Sequence, residues 1–367
     1  MAIKLLIVDD SALMRRALSQ IFESAGGFEI RTAHDGADAL REIRAWQPDV
    51  VTLDLNMPRM DGMTALSQIM VEHPCPVVMV SSLTQKDALP TLEALALGAV
   101  DFVAKPSGTV SLDIRKVEVE LLEKVRSAAR SKVRRGRAVP ERVARAPSAV
   151  ATTRAKPAPL VFSPRAQSAP ASAGNEPLVL IGVSTGGPRT LEDILPKLPV
   201  SFPFPILVAI HMPSTFTGHF ARRMGELCSL QVKEVTRQMP LLPGAVYIAR
   251  GDADMIVARR ADALVAMVTP SDAALAWHPS VDRLVESVLR HVSAKVLLGV
   301  QLTGMGDDGA RAMTALHSGG GYTIAESEQS AVVFGMPKEL IDRGGATVVL
   351  PAEAIGDKIV RWAQRGF

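Results

Sequence analysis

Three observations predict an α/β protein of two doubly wound parallel-sheet domains joined by a flexible linker. At 367 residues the chain is more than twice the roughly 150 residues of an ordinary domain. Short runs rich in Val, Ile and Leu alternate with amphipathic segments in both halves, and right-handed crossovers then place helices on both faces of a parallel sheet. Between the halves, residues 130–177 carry ten lysines and arginines, two acids and seven prolines without apolar periodicity, the composition of an extended, solvated tether. The domains are accordingly placed at residues 1–128 and 177–367, with the linker at 129–176.

The tether also explains the charge. A formal +3 and an isoelectric point near 8.9 suggest a nucleic-acid or membrane-surface protein. The linker alone contributes +8, so the remainder carries −5, and the basicity belongs to the joint. Aromatic residues make up only 4%, a poor supply of platforms for stacking bases. Cys75 and Cys228 lie far apart with no CxxC spacing, which argues for a reducing, cytoplasmic setting and against a disulfide framework or structural zinc. No uncharged apolar run reaches the length of a membrane span, so no membrane insertion is expected.

The first alternation has apolar runs at residues 3–8, 29–32, 50–53, 77–80 and 100–104, separated by amphipathic segments at 12–24, 37–46, 63–72 and 85–97. The run at 3–8 ends in Asp9-Asp10, so a first strand is expected there and not a signal peptide. After the linker, strands are expected at 178–183, 206–210, 245–248, 262–269, 295–302, 322–325 and 346–349.

Residues just beyond the carboxyl ends of parallel strands converge on one crevice. In the first domain these are Asp9, Asp10, Asp54, Ser81 and Lys105. Clustered carboxylates repel unless a cation sits among them, and Mg²⁺ suits an all-oxygen set that retains waters. Lys105 brings a positive charge to the same centre, and Ser81 can hydrogen-bond a group added to Asp54. A single Asp after a strand is usually a turn former or cap; five concordant residues at strand ends are not. With "VDDSALMRR", "DLNMPRMDG", "VMVSS" and "FVAKPS", this segment resembles the flavodoxin-like receiver domain of two-component response regulators. The resemblance implies phosphorylation of Asp54 by a histidine kinase, Mg²⁺ held by Asp9, Asp10 and Asp54, and a switch through Ser81, Phe102 and Lys105. It also implies a cis bond before Pro106 that aims Lys105 at the site.

In the second domain, "LVLIGVSTGGPRTL" sets Gly182-x-Ser184-x-Gly186 between a strand and a helical segment. The glycines permit a sharp turn that exposes Ser184, and the helix N-terminus offers N–H groups to an oxyanion. Such a loop could equally cradle a phosphate. Of the histidines at 211, 219, 278, 291 and 317, only His211 follows directly on a well-formed strand, and Asp307 and Asp308 follow another. Ser, His and Asp on three strand-end loops suit nucleophilic acyl transfer. Their chain order differs from Ser, acid, His, which excludes an ordinary α/β-hydrolase.

"GVSTGGP", "IHMP", "PGAVYIARGD", "HPSVDRL", "LTGMGDDGA" and "TIAESEQSAVVFGMPKELI" resemble the chemotaxis protein-glutamate methylesterase family, CheB, and the resemblance covers nearly the whole chain in the same domain order. It implies hydrolysis of glutamate γ-methyl esters on chemoreceptor signalling domains and deamidation of receptor glutamines, with no cofactor for the esterase reaction. Ser184 is then the nucleophile, His211 the base and Asp308 the orienting carboxylate, with backbone N–H groups at Thr185 and Met305 as candidate oxyanion donors. Val183, Ile210, Arg250 and Asp254 depart from the family pattern, with Asp254 expected at the rim of the substrate groove. The unphosphorylated receiver is expected to pack over the catalytic cleft. The competing reading is a receiver-controlled binding regulator without esterase activity that uses the basic linker to hold nucleic acid.

Overall fold

The computed structural model of the chain describes residues 2–82, 85–105, 111–131 and 174–365. The first domain alternates β1 (Ile3–Val8), α1 (Ala12–Ala25), β2 (Phe28–Ala33), α2 (Gly36–Trp46), β3 (Val50–Asp54), α3 (Gly62–Glu72), β4 (Val77–Ser81), α4 (Gln85–Leu97), β5 (Asp101–Ala104) and α5 (Ser111–Ala129). Its five strands are all parallel, in the order β2-β1-β3-β4-β5. The continuous apolar runs arise because the inner strands are buried on both faces, and every residue of β3 and β4 is buried. Side-chain caps start the helices cleanly: Asp35 accepts from Asp38 N at 2.8 Å and Asp61 from Thr64 N at 2.7 Å.

The second domain runs β6 (Leu178–Val183), α6 (Gly187–Ile194), β7 (Ile206–Ile210), α7 (Ser214–Leu227), β8 (Gln231–Val235), β9 (Met239–Pro240), β10 (Ala245–Ala249), β11 (Ala253–Arg260) and β12 (Ala263–Pro270). It continues with α8 (Val281–Leu289), β13 (Leu297–Gln301), α9 (Ala310–Ser318), β14 (Tyr322–Glu326), α10 (Met336–Asp342), β15 (Val348–Leu350) and α11 (Ala352–Ala363). Seven strands form a parallel sheet in the order β15-β14-β13-β6-β7-β10-β8.

One expected strand takes a different place. The run at 262–269 lies in β12 and pairs antiparallel with β11 and β9 in a separate three-stranded sheet. Arg259, Arg260 and Asp262 around the turn suit an exposed hairpin end better than a buried parallel strand. Most of the linker, and the Lys105–Pro106 bond, lie outside the described residues. The end of the linker is docked: Glu176 forms a two-pronged ion pair with Arg259 at 2.7 and 3.0 Å, and Gly174 O accepts from Ser293 N at 2.8 Å.

The two domains share an apolar contact. Helix α4 packs on α6 and α7, and a single cluster of buried side chains includes Leu92, Leu95 and Phe102 of the first domain with Leu191, Phe216 and Phe220 of the second. The rings of Phe102 and Phe216 lie 4.4 Å apart.

Tyr247 is the largest fully buried side chain. Its hydroxyl donates to Pro240 O at 2.7 Å and accepts from Leu242 N at 2.9 Å, which pins the β9 segment to β10. Tyr247→Phe keeps the ring and strands both partners, so it is expected to cost about 1 kcal/mol and lower the melting temperature by about 2–4 °C in thermal unfolding.

Candidate active site and phosphoacceptor site

In the first sheet the strand order reverses between β1 and β3, the point where an α/β crevice opens. Asp9 and Asp10 follow β1 and Asp54 closes β3; one carboxylate oxygen from each lies within 4.8 Å of the others. Lys105, after β5, brings its ammonium to 2.9 Å from Asp9 Oδ2 and 2.8 Å from Asp54 Oδ2. Burial, reinforced by the charge of Asp9 and opposed by Lys105, pushes the Asp54 carboxyl above the usual carboxylate range. Burial works against the Lys105 ammonium as well, but Asp54 and Asp9 outweigh it and hold its pKa above the ordinary value. Ser81 is buried at the end of β4 and donates to Ser82 O at 3.2 Å. Phe102 faces the second domain, with the Lys124 ammonium 5.2 Å from its ring centroid.

The second sheet repeats this construction at the reversal between β6 and β13. Ser184 follows β6, His211 follows β7 and Asp308 lies in the loop after β13, so three adjacent strands deliver the three side chains. Main-chain bonds stitch their loops together: Ser184 N donates to Thr303 O at 2.9 Å and His211 N to Val183 O at 3.1 Å. His211 Nε2 is 2.9 Å from Asp308 Oδ2, and both side chains are less than a tenth exposed. His211 Nδ1 is buried and has no hydrogen-bond partner among the described residues.

Asp308 is held from several directions. Its Oδ2 accepts from Val281 N at 2.7 Å as well as from His211, and its Oδ1 accepts from Ser280 Oγ and Asp282 N, each at 3.0 Å. The amino end of α8 therefore sits on this carboxylate, where helix N–H groups favour negative charge. Burial opposes the charge, but the His211 hydrogen bond and charge and the N–H groups of Asp282 and Val281 keep the Asp308 pKa below the usual range. Gln301 Nε2 donates to Asp308 O at 2.7 Å and fixes the loop itself.

The helices that follow Ser184 and Asp308 begin differently from α1, α2 and α3 of the first domain. Gly186 and Gly309 occupy their N-cap positions and supply no side-chain cap. Gly186 has φ +78, and a Cβ there would lie 2.6 Å from Val332 Cβ, so both conformation and space require glycine. At Gly304 a Cβ would stand 2.7 Å from Ser184 Cβ; its absence lets the β13 loop approach the serine. The backbone N–H groups of Thr185 and Met305 donate to no other group among the described residues.

The family departures fall into three kinds. Val183 and Ile210 are fully buried beneath the Ser184 and His211 loops, and Arg250 is exposed. Asp254 does not form a rim: it is 1% exposed and accepts from His278 Nδ1 at 3.0 Å, Ser280 N at 2.7 Å and Arg283 Nη1 at 2.6 Å. Those donors offset the cost of burying the carboxylate. Sequence reasoning missed Ser280, Gln301 and Trp277. Ser280 precedes an apolar helical run as a cap does; Gln301 and Trp277 carry no sequence signal. The Trp277 ring lies 5.2 Å from that of His211 with 4° between their planes.

Fold and geometry thus define a receiver-like α/β domain joined to a second α/β domain in which Ser, His and Asp loops meet at one switch point. Residues 5–115 match the family model of the response regulator receiver domain, and residues 179–359 match that of the CheB methylesterase. The chain is 52% identical over 362 residues to the protein-glutamate methylesterase/protein-glutamine glutaminase 3 of Rhodospirillum rubrum, an alignment covering 99% of this chain and 96% of that one. It is likewise 52% identical to the protein of that name numbered 2 in Rhodopseudomonas palustris, over 98% of both chains. The crystal structure of the Thermotoga maritima CheB methylesterase catalytic domain is 38% identical, with a TM-score of 0.49 over 51% of this chain and 98% of that one. The chain belongs to the CheB methylesterase family.

The lowered Asp308 pKa has a stability consequence. Its contribution is complete above the unfolded pKa, near 4, and is lost as pH falls through the lower folded value. In Asp308→Asn the stability deficit relative to the wild type is therefore expected to be largest near neutral pH and to shrink below about pH 4, as read by urea unfolding across that range.

Proposed function

We propose that this chain is a phosphorylation-activated hydrolase that removes methyl groups from glutamate γ-methyl esters on chemoreceptor signalling domains and deamidates receptor glutamines. The observation that carries the reading is the His211–Asp308 bond of 2.9 Å at the same switch point as Ser184. The relatives, whose names state both activities across nearly the full length of the chain, support it.

In this mechanism Ser184 Oγ attacks the ester carbonyl carbon while its proton passes to His211. Since Nε2 is committed to Asp308, Nδ1 is the nitrogen left to take it. The negative charge moves to the carbonyl oxygen, which the free N–H groups of Thr185 and Met305 can receive. Collapse breaks the C–O bond, and methanol leaves with the proton from His211. Water then attacks the acyl-serine, with His211 accepting its proton and returning it to Ser184, and releases the glutamate. A glutamine side chain follows the same course with ammonia as the leaving group. Asp308 stays ionised throughout and stabilises the imidazolium.

The first domain supplies control. Asp54 is the phosphoacceptor for a chemotaxis histidine kinase, and Asp9, Asp10 and Asp54 would hold Mg²⁺. Their clustered oxygens, with Asp9 Oδ2 and Asp54 Oδ2 buried and already facing one cation, the Lys105 ammonium, fit a hard cation. The bound ion would offset the charge of the incoming phosphoryl group. Ser81 and Lys105 stand where they can contact that group, and Phe102 links it to the second domain through Phe216. Helix α4 rests on the two helices that directly follow Ser184 and His211, and Val332, beside Gly186, packs against the receiver core. That contact supports inhibition by covering the catalytic cleft. No described helix is long and apolar enough to cross a membrane, in keeping with action on the cytoplasmic part of a receptor.

The decisive experiment incubates the protein with methylated receptor signalling domains, with and without a small phosphodonor, and measures methanol. Release that rises with the phosphodonor and falls by several orders of magnitude in Ser184→Ala is expected; near-normal release from that variant would remove Ser184 from its role. Deleting residues 1–150 is expected to raise basal release. Unchanged release from the folded remainder would refute inhibition by occlusion.

A further inference from the structure

We propose that Trp277 is a positioning residue for the catalytic histidine: it fixes the plane of the His211 ring and stabilises its protonated form. The inference rests on the esterase reading above and deepens it. Among the described residues the His211 ring has one hydrogen bond, from Nε2 to Asp308, so the tilt of its plane is left to packing. The Trp277 indole lies parallel to the imidazole, 4° from coplanar and 5.2 Å centroid to centroid. A stacked face fixes that tilt, so Nδ1 is presented in one orientation.

The same indole also neighbours the loop after β13. Its Nε1 edge lies over Gly306, where a Cβ would stand 3.3 Å away. Gly306 follows Met305, one of the two residues whose free N–H groups serve the oxyanion. Trp277 therefore ties the base to the turn that carries an oxyanion donor. It also has an electrostatic effect. When His211 accepts the serine proton, its charge develops against an electron-rich face in a largely desolvated place, which lowers the energy of the imidazolium.

Other charges surround the pair. Asp308 lies on the far edge of the imidazole, Asp282 of α8 lies behind Asp308, and His278, next in the chain to Trp277, is held by Asp254, which also binds Arg283. The carboxylate sets the sign of the local field. The stack adds a contribution that depends on the ring alone, which a change of aromatic residue can isolate.

The test combines a rate profile with a spectroscopic one. In Trp277→Ala, kcat/KM for methanol release is expected to fall by about three- to thirtyfold, and the acidic limb of the pH profile to move to lower pH, because the imidazolium has lost its support. Trp277→Phe is expected to restore most of the rate and most of the limb. Equal losses in both variants with an unmoved limb would overturn the proposal.

The second measurement needs no turnover. Indole emission is quenched by a stacked imidazolium, and the chain has only three tryptophans. The difference in emission between wild type and Trp277→Phe is expected to titrate with the midpoint of the acidic limb. His211→Gln should abolish that titration and His278→Gln should preserve it. A difference signal that ignores His211 would overturn the stacking even if Trp277→Ala failed to fold. A quenching titration in a protein that releases no methanol would instead keep the stack and defeat the esterase reading.

Discussion

Reversal of strand order at one point in each sheet is the constraint from which both sites follow. A parallel sheet must send each strand back through a crossover on one face, and the loops part where consecutive crossovers go to opposite faces. In the first sheet this happens between β1 and β3, and the gap is filled by Asp9, Asp10 and Asp54. In the second it happens between β6 and β13, and the gap holds Ser184 and Asp308, with His211 one strand away. The same topology gathers carboxylates in one case and a Ser-His-Asp set in the other because the residues at the strand ends differ, not the scaffold.

What keeps the second crevice in shape is the demand of a buried carboxylate. Removing an ion from water costs several kcal/mol unless hydrogen bonds replace the solvent. Asp308 meets that demand with His211, Ser280 Oγ and the N–H groups of Val281 and Asp282. Those donors come from β7 and from the start of α8, so satisfying one side chain aligns three separate pieces of chain. Asp254 does the same one step outward, gripping Ser280 N, His278 and Arg283. The two carboxylates share Ser280 and make the entrance of α8 a rigid wall of the site.

The parts of this arrangement that were legible in the sequence share a physical cause. Strands buried on both faces must be apolar throughout, so β1, β3, β4, β6, β7 and β13 stand out as runs, and the first polar residue after each run is by construction at the crevice. Where that cause is missing the sequence is silent. β8 (QVKEV) lies at the sheet edge with alternating exposure and carries no run. The β11–β12 hairpin has one face covered and one open, so its apolar content looked like a buried parallel strand. Trp277 sits in a segment without helix or strand, and nothing local says that its ring meets one 66 positions earlier. Asp254 looked like a surface residue because partners brought in by folding cannot be counted from neighbours in the chain.

The residues that make the contact between the domains carry no local signal either, and their chemistry bears on how the proposed phosphorylation of Asp54 would matter at Ser184. A phosphoryl group can shift the equilibrium only by interacting differently with the docked and undocked arrangements. The docked arrangement is apolar at its centre, Phe102 against Phe216, and Phe102 lies in β5, the strand that Lys105 directly follows. Lys105 is bound to Asp54 and Asp9, so under the proposed phosphorylation of Asp54 a shift of its ammonium toward a phosphoryl oxygen would pull on the strand that carries the interface ring. On the other side, Phe216 lies in the first turn of α7, five residues beyond His211. The interface is thus built from the segments adjoining both sites, so in the proposed control a displacement at the end of β5 would act directly on packing that adjoins the Ser184 and His211 loops.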